Sequence, residues 1–352
     1  MSLEAPITST PPGSRVMVTG ANGLLASHIC LQLLERGFNV RGAVRDTAQS
    51  SWLLEGRFKA HADRGAIELV SVPDFGVKGA YDEAIKGASA IIHTAYVTNI
   101  VPDPHKVITP MVVAIDSILN AAMREPSVKG VVFTSSAIAA SPLLPHIDNG
   151  NVDRNSWNEA ALEAASAPPP FGASHAMANY PASKVAAEKE IWKVVDQHQD
   201  GLHFNVNVVS PAGLIGEPLN EKHVEGQANW VVHAYRGNKA VMDALPATFY
   251  ADVKDVALIH VAALLDPKVK LVRLQSWGHS AHWNEILAIL RKRRPHKQFL
   301  DDYAEPYHLK VSVDQSESLA LLEKWSKDPE KRGWTSLEDC VAENINNPYL
   351  VD

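Results

Sequence analysis

Short apolar runs rich in β-branched residues alternate with longer stretches of helical periodicity from Val16 to Pro211. Each short run is typical of a buried strand, and each longer stretch is typical of a helix packed on one face. Strands that alternate with helices indicate a parallel sheet covered on both faces, so the predicted fold class is α/β with a doubly wound parallel sheet. The predicted strands are Val16–Thr19, Phe38–Arg45, Ala66–Val72, Ala88–Tyr96, Val128–Ser136 and His203–Pro211, and the predicted helices are Leu24–Arg36, Tyr81–Lys86, Val112–Arg124 and Ala182–His198.

Two parts of the chain do not follow this alternation. The proline-rich segment Pro142–His175 is predicted to be a long loop between the fifth strand and the next helix, and loops of that length usually carry function or are mobile. Beyond Pro211 the pattern is less regular and Trp, Tyr and Phe are frequent, which predicts a smaller C-terminal substrate-binding lobe. The predicted boundaries are a flexible tail at 1–13, a dinucleotide-binding domain at 14–210 and, at 211–352, mainly the lobe with some return to the main domain.

Composition narrows the class of protein. The chain has 352 residues, of which 46% are hydrophobic and 21% charged, with a formal net charge of -7, and this is ordinary for a soluble globular protein. Because the sequence has no basic block, neither nucleic acid nor a membrane surface is expected as a partner. The two cysteines, Cys30 and Cys340, make no disulfide framework, and we find neither a signal-peptide core nor an apolar run of membrane-spanning length, so a cytoplasmic location is expected. No His, Cys and Asp cluster has the spacing of a metal site.

The stretch VTGANGLLASH, Val18–His28, joins the first predicted strand to the first predicted helix. Gly20 and Gly23 permit a tight turn and a close approach of the backbone to a pyrophosphate, while the small Ala26 lets helix and strand pack closely. The free N–H groups at the helix N-terminus favour an anion. A plain strand–helix turn is the alternative, but the strand–turn–helix context favours a dinucleotide site.

The end of the second strand bears on which dinucleotide binds. Arg45 stands where a cation meets the 2′-phosphate of NADP, which favours NADPH. Asp46 follows it and could instead bond the ribose of NAD, so NADH stays possible. Asp74, just after the third strand, is a candidate for the adenine edge, with a loop-capping aspartate as the alternative.

Later polar residues suggest proton transfer. Tyr180 and Lys184 are four residues apart, which places them on one face of a helix. A nearby ammonium lowers the pKa of a phenol, so the phenol exchanges a proton more readily with a carbonyl or alcohol oxygen. Ser135 and Ser136 end the fifth strand, at the sheet edge where ligands bind. An ordinary helix and a capped turn are the alternatives, but the joint presence and order of these signals favour one catalytic site.

With these motifs the chain resembles the extended short-chain dehydrogenase/reductases, which have a Rossmann-type fold. Within that superfamily, VTGANGLLASH, VRGAVRD, VVFTSSA, YPASKVAAE, VVSPAGLIG and YADVKDVALIH resemble the dihydroflavonol-reductase-like branch, especially fungal NADPH-dependent aldehyde and ketone reductases. The resemblance implies that Ser136 orients the carbonyl, with Ser135 as second choice. It implies that Tyr180 donates the proton and that Lys184 tunes Tyr180 and binds ribose. Implied cofactor contacts are Gly20, Asn22, Gly23, Leu24, Ala26, Arg45, Asp74, Ala95, Tyr180, Lys184 and Pro211.

Two departures from the family pattern stand out. Many relatives carry an asparagine on the helix before the fifth strand, where it holds a proton-relay water. Here Thr109 and Pro110 stand near that place and Asn120 lies too late in the helix, so the role is not carried over. Relatives also often have a second cation shortly after the Arg45 position, and its absence here predicts weaker selectivity for NADP.

The sequence therefore predicts NADPH-dependent reduction of a small-molecule ketone or aldehyde. An epimerase or dehydratase of the same fold is the alternative, although the aromatic-rich lobe favours an apolar or aromatic substrate over a nucleotide sugar. A non-catalytic NADP-sensing regulator is disfavoured because the serine, tyrosine and lysine are all present. The sequence leaves open whether the protein is a monomer or a homodimer. Candidate residues of the substrate pocket are Tyr96, Val97, Thr98, Phe171, Leu214, Trp230, Leu245 and Phe249.

Overall fold

A computed structural model describes residues 8–97, 100–143, 148–198, 200–225, 229–245 and 247–350. Its strands are β1 (Arg15–Thr19), β2 (Asn39–Val44), β3 (Ile67–Ser71), β4 (Ala90–His93), β5 (Gly130–Thr134), β6 (Asp148–Val152), β7 (Asn205–Pro211), β8 (Gly213–Ile215), β9 (Ala247–Asp252), β10 (Arg273–Ser276), β11 (His279–His282) and β12 (Lys310–Val313). Its α-helices are α1 (Leu24–Glu35), α2 (Lys59–Asp63), α3 (Ile108–Arg124), α4 (Glu159–Ala165), α5 (Ala173–Gln197), α6 (Glu221–Val224), α7 (Trp230–Tyr235), α8 (Lys239–Ala244), α9 (Val253–Leu265), α10 (Trp283–Arg293), α11 (Ser316–Trp325) and α12 (Leu337–Ile345).

The central sheet has the strand order β10-β7-β5-β4-β1-β2-β3 within the described residues, and all of its pairings are parallel. From β1 the chain builds outward to β3 and then returns to the other side of β1, where β4 pairs with it. Ligands of such sheets bind at the point where the strand order reverses, outside the carboxyl ends of the strands. The α/β fold class with a doubly wound parallel sheet is confirmed.

The side chains of the central strands alternate between two buried clusters, one on each face of the sheet. Val16 and Val18 of β1 belong to one cluster and Met17 to the other, as expected when successive strand residues point to opposite faces. Helices α1 and α9 pack together with the first cluster, and α3 packs against α5 with the second. Both faces are therefore covered by described helices, which leaves the ends of the strands for ligands.

The lobe predicted beyond Pro211 has its own apolar core and small sheets. Strands β11, β9 and β8 form one sheet, and β12 pairs with β6 in another. The aromatic residues that suggested this lobe are largely its core, because Trp277, Tyr250 and Trp283 are at most 2% exposed. Helix α9 and strand β10 return to the main sheet from the middle of this region.

Helix α3 corrects one expectation from the sequence. Together with the turn before it, Pro104–Arg124 forms a 21-residue apolar stretch that is long enough to cross a membrane, although no such run was expected. Half of its most apolar window is buried inside the molecule, and residues such as Ile118 pack in the core beside α5. Its apolar character is accounted for by these core contacts.

Two further predictions of local structure are wrong. Tyr81–Lys86 forms turns and no helix, because Gly79 and Gly87 on either side adopt positive φ and leave too few residues to repay helix nucleation. The segment Pro142–His175 is not one loop, since it contains β6, α4 and the start of α5. Helix α5 begins at Ala173, ahead of the predicted Ala182, and continues through Pro181, where the missing N–H would ordinarily favour a helix end.

Candidate active site

The glycine turn lies at the reversal point of the sheet. Gly20 has φ +62°, and a Cβ on it would lie 3.2 Å from Cα of Ala95 and 3.4 Å from its backbone N. The turn is closed by a hydrogen bond from the N–H of Gly23 to the carbonyl of Gly20, 2.9 Å long. Ala26 is buried against the sheet at 1% exposure. The ends of β1 and β4 therefore approach so closely here that a side chain at Gly20 would crowd the Ala95 backbone.

The first turn of α1 is available to an anion. Within the described residues no side chain caps the N-terminus of α1, and the first turn of this helix has no acidic residue. The first bond within the helix runs from the N–H of Ser27 to the carbonyl of Gly23, so the preceding N–H groups point out of the helix end. Together with the positive end of the helix dipole, they fit the pyrophosphate of a dinucleotide. Asn22 and Leu24 lie in this same turn.

At the carboxyl end of β2 the structure distinguishes Arg45 from Asp46, the two candidates for contact with the ribose or its 2′-phosphate. The carboxylate of Asp46 accepts the N–H groups of Ala48 and Gln49, at 2.9 and 3.1 Å, so it caps its own turn. Arg45 is exposed beside it. The carboxylate of Asp74 accepts the N–H of Gly76 at 2.9 Å, which is the loop-cap arrangement. Arg45 is thus the charged side chain at this strand end that is left for a 2′-phosphate.

The adjacent serines at the end of β5 point to different partners. The Ser136 hydroxyl lies close enough to Tyr180 to oppose the rise that burial causes in the pKa of the Tyr180 phenol. Ser135 is 6% exposed, and its hydroxyl donates to the buried carboxylate of Glu188. The geometry therefore brings Ser136 to the tyrosine, in agreement with the first choice made from the sequence, and turns Ser135 toward the interior.

Tyr180 and Lys184 both contact the ring of Tyr96, which follows β4. The Tyr96 and Tyr180 rings meet edge to face with centroids 5.4 Å apart. Nζ of Lys184 lies 4.2 Å from the Tyr96 ring centroid, within the range of a cation–π contact. The Tyr96 hydroxyl lies 2.8 Å from Oγ of Ser183, and Ser183 donates to the Tyr180 carbonyl at 2.7 Å. Tyr96 thus fixes the helical turn that carries both candidate catalytic residues.

Burial changes the proton affinities of both groups. The pKa of Lys184 is lowered to about 8 by burial, and the negative charge of Glu188 opposes that shift. The pKa of Tyr180 is raised by burial, and the neighbouring Ser136 hydroxyl opposes that rise. The net pKa shift of Tyr180 is therefore upward, opposite to the direction expected from the spacing, because desolvation of the phenol outweighs the interactions that favour its ionised form.

A small cavity of about 20 Å³ lies behind Lys184, which is enough for about one water molecule. His93 contributes to its wall, and no hydrogen-bond partner for its Nε2 exists among the described residues. Met111 and Ile115 of α3 form part of the same wall. Asn120 is exposed and donates to the carbonyl of Asp116, so it lies away from the cavity, as its late position in the helix implied.

The candidate pocket residues are only partly brought together. Tyr96 joins the catalytic helix as described, and Phe171 contacts His175 at the start of α5, with centroids 5.3 Å apart. Phe249 packs against Trp277 in the interior of the lobe, and the Leu245 carbonyl accepts the indole N–H of Trp283. Thr98 lies outside the described residues. The remaining candidates Val97, Leu214 and Trp230 are half-buried, and Pro211 is buried as the last residue of β7.

Sequence reasoning missed two groups at this site. Glu188 continues the Tyr180, Lys184 spacing by another helical turn, and that periodicity was the available signal. His223 accepts the N–H of Leu219 at 3.2 Å and hydrogen-bonds the Asn22 carbonyl at 3.0 Å, so a lobe segment is attached to the glycine turn. No sequence pattern indicated that contact, because the partner is a backbone atom far away in the chain.

Comparison with known proteins defines the class. A model of the NAD dependent epimerase/dehydratase family matches residues 16–272. The chain belongs to this family, which confirms the resemblance to the extended short-chain dehydrogenase/reductases.

Particular relatives cover nearly the whole chain. One named NAD-dependent epimerase/dehydratase terH, from Aspergillus terreus, is 35% identical over 340 residues, covering 96% of this chain and 98% of that protein. Aldehyde reductase 2 of Sporidiobolus salmonicolor is 32% identical over 339 residues, covering 96% of each. Yeast methylglyoxal/isovaleraldehyde reductase Gre2, whose crystal structure was determined with NADPH, superposes with a TM-score of 0.78 at 23% identity, covering 94% of this chain and 97% of Gre2. This last likeness supports the fold.

Proposed function

We propose that this protein reduces a ketone or aldehyde to an alcohol with NADPH. The observation that carries the proposal is the placement of Ser136 beside Tyr180, one helical turn from the buried Lys184. These groups share the sheet edge with the glycine turn, where a dinucleotide would meet its substrate.

Each side chain has a distinct role in the proposed reaction. The Tyr180 hydroxyl gives its proton to the carbonyl oxygen, while Ser136 donates a hydrogen bond that orients that oxygen. The Lys184 ammonium stabilises the phenolate that remains and binds the ribose. When NADPH is bound, it supplies the hydride. Its pyrophosphate would be held by the first turn of α1 and its 2′-phosphate by Arg45.

The relatives support a reductase without fixing the substrate. Aldehyde reductase 2 is named for a carbonyl substrate, whereas the family description and the Aspergillus terreus protein name epimerases and dehydratases. A reductase oxidises NADPH in proportion to product. An epimerase, in contrast, shows no net oxidation of its cofactor, so the two functions are separable by absorbance.

The test compares wild type with Tyr180→Phe on a panel of apolar and aromatic ketones and aldehydes. Tyr180→Phe removes one oxygen, so NADPH binding measured by fluorescence should be unchanged, while kcat should fall by about 10²–10⁴. Tyr303→Phe is the matched control, because it removes the same atom from a lobe residue whose hydroxyl bonds Asp243. Near-normal turnover by Tyr180→Phe would show that the proton comes from another group.

A further inference from the structure

A buried ion pair lies directly beneath the candidate active site. Nε of Arg273, on β10, lies 2.5 Å from Oε1 of Glu188, on α5, and its Nη2 lies 3.3 Å from Oε2. The side chains are only 4% and 1% exposed. Desolvation of two charges offsets most of their attraction, so a buried pair is a poor source of stability by itself. Its position relative to the active site is therefore informative.

Glu188 contacts both elements that carry the candidate catalytic residues. One carboxylate oxygen accepts the hydroxyl of Ser135, the neighbour of Ser136 at the end of β5. On α5, Glu188 follows Lys184 by four residues, so the two side chains lie on one face of the helix. Both also line the cavity described above. The carboxylate is thus next to the serine pair and to the lysine in one water-poor space.

Arg273 extends this connection to the segment between Ser136 and Tyr180. Its Nη1 donates to the carbonyls of Arg154, at 3.3 Å, and Ser156. Its guanidinium carbon lies 4.1 Å from the ring centroid of Trp157. The cation therefore compensates the charge of Glu188 while it holds the chain that leads from the serine strand into α5.

We propose that Glu188 is a positioning residue for proton transfer, which holds Ser135 and stabilises the positive charge of Lys184 while Arg273 keeps the carboxylate in place. This inference rests on the proposed reductase function. It assigns Glu188 no contact with substrate or cofactor. Its effect is transmitted through the lysine and through the serine strand.

Other charges near Lys184 do not replace Glu188. His93 on β4 faces it across the cavity, and burial lowers the pKa of His93 to about 3, so this ring is neutral near pH 7. On the outer surface of α5, Lys189 pairs with Glu159 of α4, and Glu190 with Lys193, beside Asp116 of α3. Among the residues that the structure describes, the titratable groups that face Lys184 and Glu188 are His93, Tyr96, Tyr180 and Arg273.

The pH dependence of kcat/KM for NADPH tests this role, because it reports ionisations of the free enzyme. Wild type should lose kcat/KM above about pH 8, as Lys184 loses its proton. Removal of a neighbouring negative charge makes the ammonium less stable, so Glu188→Gln should move this alkaline limb to lower pH. A shift on the order of one pH unit is expected, since a nearby opposite charge shifts a pKa by about 1–3 units.

Two further variants keep the test decisive. Glu188→Gln leaves the Arg273 charge buried and unpaired, whereas Glu188→Gln/Arg273→Gln removes both charges together with the Arg273 contacts to Trp157 and to the carbonyls of Arg154 and Ser156. Its alkaline limb should lie between those of Glu188→Gln and wild type. Glu190→Gln makes the same chemical change two residues away and should keep the wild-type limb. NADPH fluorescence titrations across the same pH range follow the protonation of Lys184 without turnover. Thermal unfolding reports the stability of each variant separately.

The outcomes separate the inference from the proposed function. Both Glu188 variants could lose thermal stability while their alkaline limb stays where it is in Glu190→Gln, in the kcat/KM profile and in the NADPH titration. In that case Glu188 is structural and the inference is wrong. If no carbonyl compound of the panel makes the wild type oxidise NADPH, the reductase proposal fails. In that case an NADPH titration shifted to lower pH in Glu188→Gln but not in Glu190→Gln would still establish the action of Glu188 on Lys184, and an unshifted one would overturn it.

Discussion

Gly20→Ala tests the glycine turn as a cofactor site, with Gly56→Ala as a matched control. Both glycines adopt left-handed backbone conformations, with φ of +62° and +50°. A Cβ at Gly20 would press on the Ala95 backbone at 3.2 Å, whereas a Cβ at Gly56 would meet no heavy atom within 4 Å. The pair therefore separates the cost of the backbone conformation from the cost of crowding.

The two substitutions should differ in size and in kind. A left-handed alanine costs about 1–2 kcal/mol, and its stiffer unfolded chain returns about 0.4–1 kcal/mol. Gly56→Ala should thus lower the free energy of unfolding by roughly 1 kcal/mol and leave NADPH affinity unchanged. Gly20→Ala adds a crowding cost of about 1–3 kcal/mol, and displacement of the turn should raise the Kd for NADPH at least about tenfold, or 1.4 kcal/mol.

The assay is urea unfolding with and without NADPH, together with fluorescence titration of the cofactor. NADPH should stabilise wild type and Gly56→Ala by the same amount at a given concentration, because stabilisation depends on concentration relative to Kd. Gly20→Ala should gain less stability from the same concentration of NADPH. Wild-type NADPH affinity in Gly20→Ala would refute the placement of the pyrophosphate at this turn.

Two further predictions concern charge. Arg45→Ala should raise KM for NADPH much more than for NADH, because a charge-assisted hydrogen bond is worth about 1.5–3 kcal/mol, or roughly 10- to 100-fold; equal changes for both cofactors would remove Arg45 from phosphate recognition. The pKa of Lys184 is about 8 in the folded chain, against an ordinary value of 10.5. Between these two pH values the unfolded chain therefore binds more protons than the folded chain. This group should make the free energy of unfolding rise with pH from about 8 to 10.5. Lys184→Met should flatten that part of a urea-unfolding series, and an unchanged slope would contradict the assignment.

The features predicted correctly depend on short-range patterns. Gly20 and Gly23 are recognisable because a strand, a turn and a helix follow within a few residues, and Tyr180 with Lys184 because helical spacing puts them on one face. The oxidoreductase class rested on these motifs and the choice of NADPH on Arg45, and both agree with the names of the relatives. The role of each site residue stays a prediction.

What the sequence did not reveal depends on distant contacts. Glu188 and Arg273 are 85 positions apart, and neither has a local pattern that names the other. Helix α4 and the first turns of α5 were hidden by neighbouring prolines, since their stability comes from packing against each other. The pKa of Tyr180 was predicted in the wrong direction because burial cannot be judged from spacing.

The place of β10 in the sheet has a consequence for how the protein is made. Its partner β7 leaves the ribosome first, and β8, β9 and α9 are all synthesised before β10 can pair with it. During that interval Glu188 has no guanidinium partner, and an uncompensated carboxylate opposes burial of its part of α5. Non-local strand pairing is in any case a slow step. A nascent chain can therefore assemble the glycine turn early, whereas the proton-transfer residues reach their final arrangement only after the late strand docks.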